Sequence, residues 1–215
     1  MNILVVHSHN ANRGDEAAVK AMVDELLIKY PGAKITISNN GFTQYPGMPE
    51  NVIQIDRFPK LESRMAQLEF FIVLLFRGKF AFTKEARKFI RALKEADVVL
   101  HAPGGPSIGD TYFKAEKLYL WRLNLIRQMG IPYIFYDPSM GPFKCASRNK
   151  LRKKVISGAE RIVLRDPISV EYVKDFLPGV EVEQALDSAL QHDIDIDKNE
   201  RKYNNYPELK KFIEN

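Results

Sequence analysis

The chain opens Met1-Asn2-Ile3-Leu4-Val5-Val6, and His7-Ser8-His9-Asn10-Ala11-Asn12-Arg13-Gly14-Asp15-Glu16 then leads into a helical pattern. Residues 3–6 read as a short, continuously apolar strand of the kind that is buried on both faces. Over residues 15–30, Ala18, Met22, Leu26 and Leu27 fall near helical spacing, and Pro31-Gly32 stops the helix. A buried strand, a polar loop and a helix in that order begin a parallel α/β sheet.

Outward from there the alternation continues. Residues 34–38 and 52–55 predict two further strands, separated by a turn-rich stretch at 41–49. Residues 61–78 and 84–96 predict helices, and 97–101 a strand that runs into a glycine-rich loop. A helix over 113–129 is closed by Gly130. A strand at 133–136, a basic helix at 145–158, a strand at 161–164 and a helix at 167–176 follow, the last with Pro167 in its first turn, which helices tolerate. Residues 180–182 read as a last short strand. The expected fold is α/β and Rossmann-like: a mostly parallel sheet with helices on both faces, formed by residues 1–190 as one domain. Residues 192–205 are polar, so 191–215 is expected to be a linker ending in a short helix over 206–213. In such sheets ligands bind in the loops beyond the carboxyl ends of the strands.

Composition bounds the function. With 215 residues, 45% hydrophobic and 27% charged, the chain can build the core of one ordinary domain. A net charge of +5 suits an anionic ligand or an acidic membrane surface, but does not indicate nucleic acid. The basic helix lacks the interleaved aromatics that single-strand binding needs. The single cysteine, Cys145, excludes an intramolecular disulfide and fits a reducing cytoplasm. Histidines show no ligand spacing beyond His7 and His9, so no metal is expected. Without a G-x-G-x-x-G fingerprint, no dinucleotide cofactor is expected either. The most apolar run, Phe70 to Phe76, is too short for a membrane span, which takes about 20 residues. It reads as a buried helix. Arg77 and Lys79 beside it leave open a peripheral membrane or partner contact, at the inner face of the membrane or between copies of the chain.

Candidate site residues lie in the loops after strands. In the first, Asn12 and Gly14 sit where free helix N–H groups can hold an anion. Asp15 there is either a first-turn acid that favours the helix dipole or a carboxylate able to hold a sugar hydroxyl or act as a base. The second loop, His101-Ala102-Pro103-Gly104-Gly105-Pro106-Ser107-Ile108-Gly109-Asp110, is tight and lets backbone approach a ligand. His101 reads first as a satisfied, partly buried histidine. The third loop holds Gly141-Pro142 and precedes Lys144, Arg148, Lys150, Arg152, Lys153 and Lys154, a run without acids. Most of this run reads as a solvated face, but Arg148 is placed to pair two-pronged with a carboxylate or phosphate. In the fourth, Asp166 is a natural N-cap before Pro167, whereas Arg165 has no such structural reason. No Ser/His/Asp set can be assembled from spacing alone.

Taken in order, Asn12-Arg13-Gly14-Asp15-Glu16-Ala17, Ala96 to His101 running into Gly104-Gly105 and Asp110, Gly141-Pro142 with a downstream arginine, Leu164-Arg165-Asp166-Pro167-Ile168-Ser169, and Leu186-Asp187-Ser188-Ala189 resemble the polysaccharide pyruvyl transferase family. The resemblance spans roughly residues 1–190. It implies two Rossmann-like domains in a glycosyltransferase-B-like arrangement, and pyruvyl transfer from phosphoenolpyruvate to a sugar of a cell-surface or extracellular polysaccharide. By position it makes Asp15 the acid–base candidate and Arg148 the arginine after the Gly-Pro loop, with Arg152 competing. Asn12, Gly14, His101, Gly104, Gly105, Ser107, Asp110, Gly141, Arg165 and Asp166 would line the substrate cleft. The chain departs from the family in the prolines of its second loop, Pro103 and Pro106, and in Asp137-Pro138-Ser139-Met140, where glycines are usual. The family's second domain is expected to be absent, so the chain is expected to be a fragment that holds the acceptor-side domain, a naturally short relative, or half of a two-chain enzyme. Two other readings stand beside this one: a nucleotide-sugar-dependent glycosyltransferase-like domain, and a non-catalytic sugar-binding module.

Overall fold

The computed structural model describes residues 1–10, 12–40, 44–59 and 64–191. The expected linker and helix beyond residue 191 lie outside them. Among the described residues, seven strands form one sheet: β1 (Asn2–Ser8), β2 (Lys34–Asn39), β3 (Val52–Asp56), β4 (Val98–His101), β6 (Tyr133–Tyr136), β8 (Arg161–Leu164) and β9 (Glu183–Gln184). Their order is β3-β2-β1-β4-β6-β8-β9, and every pairing is parallel. The chain winds outward from β1 to β3, then returns past β1 to begin β4. The strand order therefore reverses between β1 and β4, the place where sheets of this kind leave a crevice between the diverging loops.

Strand geometry sorts the core. Along β1, Leu4 and Val6 face one side, and Ile3 and Val5 the other, as a two-residue period requires. The first side is covered by α2 (Arg64–Leu75), α3 (Lys84–Glu95), α4 (Phe113–Gln128), α5 (Ala146–Ile156) and α6 (Pro167–Phe176). Val19, Met22 and Val23 of α1 (Arg13–Lys29) pack on the second side. The architecture is thus Rossmann-like α/β with helices on both faces.

Local chemistry starts the helices. Asn12 caps α1 by accepting from the Gly14 N–H at 2.9 Å, Thr83 caps α3, and Asp166 caps α6 ahead of Pro167. No helix among the described residues is long and apolar enough to cross a membrane.

Two expectations are corrected. The glycine-rich loop contains a strand, β5 (Gly104–Ile108), which pairs in parallel with β7 (Pro138–Met140) to form a separate two-stranded sheet. The last strand lies at residues 183–184 rather than 180–182. After Gly179, at φ +91°, Val180 N–H closes a turn onto Leu177 O, and Val180 and Val182 pack against the core. Pairing with β8 begins only at Val163↔Glu183. The apolar character of those valines marks packing, not a ladder.

Candidate functional site

The crevice is built from the ends of β1 and β4. The β1 register slips between Val5 and Ser8, and His7 adopts φ +64°. A bulge of this kind re-aims a side chain. Here it turns His7 inward, where its ring lies 4.7 Å from that of His101 and 4.3 Å from that of Tyr119. His7 is buried, and neither of its ring nitrogens has a partner among the described residues. Burial holds its pKa well below the ordinary range, with His101, Arg122 and His9 acting in the same direction. It is a neutral imidazole at physiological pH.

His101 closes β4 beneath the glycine strand. Its Nδ1 bonds the Ala102 carbonyl at 2.9 Å, which leaves Nε2 to accept from the Ser107 hydroxyl at 2.9 Å. Burial pushes its pKa down to about 4. His101 and Ser107 are therefore brought together, with the histidine supporting the loop from below rather than lying at its surface.

Asp15 meets this loop from the other side. A Cβ placed on Gly104, whose φ is +136°, would lie 2.9 Å from Asp15 Oδ1. Only glycine lets the carboxylate rest against β5 in this way. His9 lies close enough for the Asp15 charge to raise its pKa, although burial is the larger effect and leaves it lowered. His9 Nε2 and the Tyr119 hydroxyl share a hydrogen bond, and Tyr45 Oη donates to the His9 carbonyl at 2.7 Å.

Below them lies Arg122, 1% exposed. It donates from Nε to Phe58 O and from Nη1 to Asn40 Oδ1, while Nη2 has no partner among the described residues. Burial lowers its pKa to about 10, so it stays charged at neutral pH. The crevice floor thus joins neutral imidazoles to one buried cation, a field that favours a negative group above it.

A second cluster grips the far end of β5. Glu116, 0% exposed, accepts from the Gly109 N–H at 2.8 Å, from Arg152 at 2.7 and 2.9 Å, and from Arg148 Nη1 at 2.9 Å. Arg152 also reaches Asp110 at 2.7 Å, and Asp110 accepts from the Lys144 and Cys145 N–H groups. Burial alone would raise the Asp110 pKa, but Arg152 and those N–H donors carry it below its usual value. Arg148 further donates to Phe113 O and stacks on the Phe113 ring at 3.4 Å. Of the two competing arginines, Arg152 is fully enclosed and Arg148 keeps 18% of its side chain exposed.

The geometry does not bring Arg148 to Asp15. One group adjoins Gly104 and the other is tied to the segment at Gly109, five residues along, or on the order of 15 Å in an extended strand. Gly141 serves packing: a Cβ there would meet the Tyr172 side chain at 2.5 Å, and a Cβ on Gly109 would meet Gly141 O at 2.5 Å. Arg165 bonds Ser139 at 2.9 Å and Asp187 at 2.7 Å, while Asp166 holds Ser139 and Ser169 as well as its helix cap. Gly105 leaves open space where a side chain would be.

His7, His9, Tyr119, Arg122 and Glu116 were not among the expected site residues. Arg122 could have been found: Tyr119, Leu123 and Ile126 form the apolar stripe of the 113–129 helix, and an arginine beside that stripe is a buried charge. No group of three or more His, Cys, Asp or Glu side chains able to hold a metal occurs among the described residues.

A family model described as polysaccharide pyruvyl transferase matches residues 12–214. The chain belongs to the polysaccharide pyruvyl transferase family. No individual curated protein matches it. The family match begins at Asn12, the cap of the helix that carries Asp15 into the crevice.

Proposed function

We propose that this member of the family transfers a pyruvyl group from phosphoenolpyruvate to a sugar of a cell-surface or extracellular polysaccharide, with Asp15 as the acid–base residue. The observation that carries this reading is the Asp15 carboxylate resting against Gly104 in the crevice between β1 and β4. A carboxylate at the mouth of such a site can accept a hydroxyl proton. Two sugar hydroxyls add in turn at the central carbon of the enol phosphate. One hydroxyl proton goes to the methylene carbon, which becomes the ketal methyl, and the other leaves with inorganic phosphate. Asp15 takes the proton from the attacking hydroxyl and returns it. Asn12, Gly14, Gly104, Gly105 and Ser107 border the acceptor. Arg165, Asp166 and Gly141 fix the surrounding loops.

In this reading Arg148 is a positioning residue. With Glu116 and Arg152 it holds the end of the strand whose other end faces Asp15. The buried cation Arg122 suits a donor that carries both a carboxylate and a phosphate.

The test follows phosphate release and product mass with phosphoenolpyruvate and an oligosaccharide acceptor. Asp15→Asn keeps the carboxyl shape but cannot take a proton. It is expected to lower kcat by about 10²–10⁴-fold, the typical contribution of a positioned acid–base group, with the melting temperature unchanged. Wild-type turnover in Asp15→Asn would remove Asp15 from the mechanism.

A further inference from the structure

The segment from α2 to the start of α3 exposes an apolar face. On α2, Met65, Leu68, Phe71 and Leu75 are 75%, 53%, 60% and 62% exposed, while Phe70 and Val73 on the opposite face are in the core. Just beyond the helix, Phe76 and Phe80 pack edge to face at 5.0 Å and remain exposed, as does Phe82. The expected buried helix over this run is thus buried on one face only.

This exposure is built in. Glu69 is the one acid of α2, and it is turned inward. Its carboxylate accepts from the Phe82 and Thr83 N–H groups at 2.7 Å and from the Thr83 hydroxyl at 2.9 Å. The same contacts remove negative charge from the surface and fix the turn that presents Phe80 and Phe82.

At its Phe76–Phe82 end the patch adjoins a cationic surface, where Lys84, Arg87, Lys88, Arg91 and Lys94 line one pocket with Gly78, Lys79 and Ala81. Along α3, Lys84, Arg87, Lys88, Arg91 and Lys94 recur at helical spacing, and all are exposed. Residues 64–95 hold eight Lys and Arg against three Asp and Glu, so the chain's formal excess of +5 is carried by this stretch alone. Elsewhere the two signs balance. An exposed apolar face with lysine and arginine at one end is complementary to a bilayer of anionic lipids: the apolar side chains enter the boundary of the acyl region and the cations meet the headgroups. A second copy of the chain fits less well. A two-fold contact through this face would set one basic surface close to the other.

We propose that the exposed face of α2 with Phe76, Phe80 and Phe82, flanked by the basic side of α3, docks the protein on an anionic membrane surface. The proposal is independent of the pyruvyl-transfer reading, and its test needs no activity.

The full chain is mixed with vesicles of phosphatidylcholine alone, or of equal parts phosphatidylcholine and phosphatidylglycerol, and recovered by flotation. Wild type should float with the anionic vesicles, stay in solution with the neutral ones, and detach as salt is raised. The double variant Phe71→Glu/Leu75→Glu changes only exposed positions and should keep its melting temperature while losing flotation. The charge reversal Lys88→Glu/Arg91→Glu/Lys94→Glu should lower partitioning about tenfold or more, since each basic residue near an acidic surface contributes several-fold. Failure of wild type to float, equal recovery with neutral vesicles, or undiminished flotation of Phe71→Glu/Leu75→Glu would overturn the proposal. So would a dimer in analytical ultracentrifugation that this double variant dissolves, if vesicles recover no wild-type protein; the face would then be a contact between copies.

Discussion

Gly104 is the residue on which the arrangement at the crevice depends. Its φ of +136° lies where a side chain is strained, and an added Cβ would press on Asp15 Oδ1 at 2.9 Å. Gly104→Ala is expected to lose roughly 1–3 kcal/mol from backbone strain and to displace the carboxylate, so that transfer falls as well. Gly105→Ala is the internal control for stability. Its backbone has no positive φ and nothing lies within 4 Å, so its urea midpoint should stay within about 0.5 kcal/mol of wild type. Equal midpoints for the two variants would mean that the Asp15–Gly104 approach does not exist in solution. The sequence made Asp15 and the glycines legible as residue types suited to a site, but not as partners. They are far apart in the chain, and only the β1–β4 neighbour relation brings them together. His7 was hidden for a different reason: a register slip in a strand leaves no trace in residue type. Asp166 is the opposite case, since a carboxylate before a helix-initiating proline could be read as a cap and is one.

At the scale of elements, the contact of α4 with α5 shows why a basic run is hard to interpret alone. Six Lys and Arg between 144 and 154 have no acid among them, yet two of these residues meet Glu116 from the preceding helix. Arg152 is 0% exposed and bonds both Glu116 and Asp110, so Arg152→Ala leaves a buried carboxylate short of its partner. The expected loss is about 3–5 kcal/mol in urea unfolding. Arg148→Ala should lose less, about 1–2 kcal/mol, because Arg152 still neutralises Glu116 and part of the Arg148 side chain already faces water. Equal losses would mean that the two arginines share the anchoring role. The main sheet and its helices were legible because apolar runs and helical spacing report burial directly. The β5–β7 pair was not. Glycine and proline dominate Gly104–Ile108, and these residues signal turns by local chemistry even where pairing with Pro138–Met140 extends the backbone.

Over the whole molecule, the pH dependence of stability is set by groups that do not face solvent freely. His7, His9 and His101 all have folded pKa values below the ordinary 6.5, chiefly from burial, and that of His101 is about 4. Their contribution is fully present above pH 6.5 and is lost as pH falls, because the unfolded chain takes up protons that the folded one refuses. For His101 alone the shift corresponds to on the order of 3 kcal/mol at pH 4. Asp137 opposes this trend. It is buried at φ +61°, accepts from the Ser188 N–H at 2.6 Å, and is raised by burial to about 6. A carboxyl raised in the folded state favours folding at low pH, and that contribution disappears as pH rises from about 4 through 6. The two trends share one window and differ in sign. Three histidines outweigh one aspartate, so the urea midpoint should rise from pH 4 to 7. Asp137→Asn keeps an acceptor for Ser188 but removes the opposing titration. It should steepen that rise and make the protein more stable than wild type at pH 7. A variant whose profile is parallel to that of wild type would show that Asp137 ionises at its ordinary pKa in the fold, and that the segment joined through Ser188 to α1 carries a charge rather than a proton.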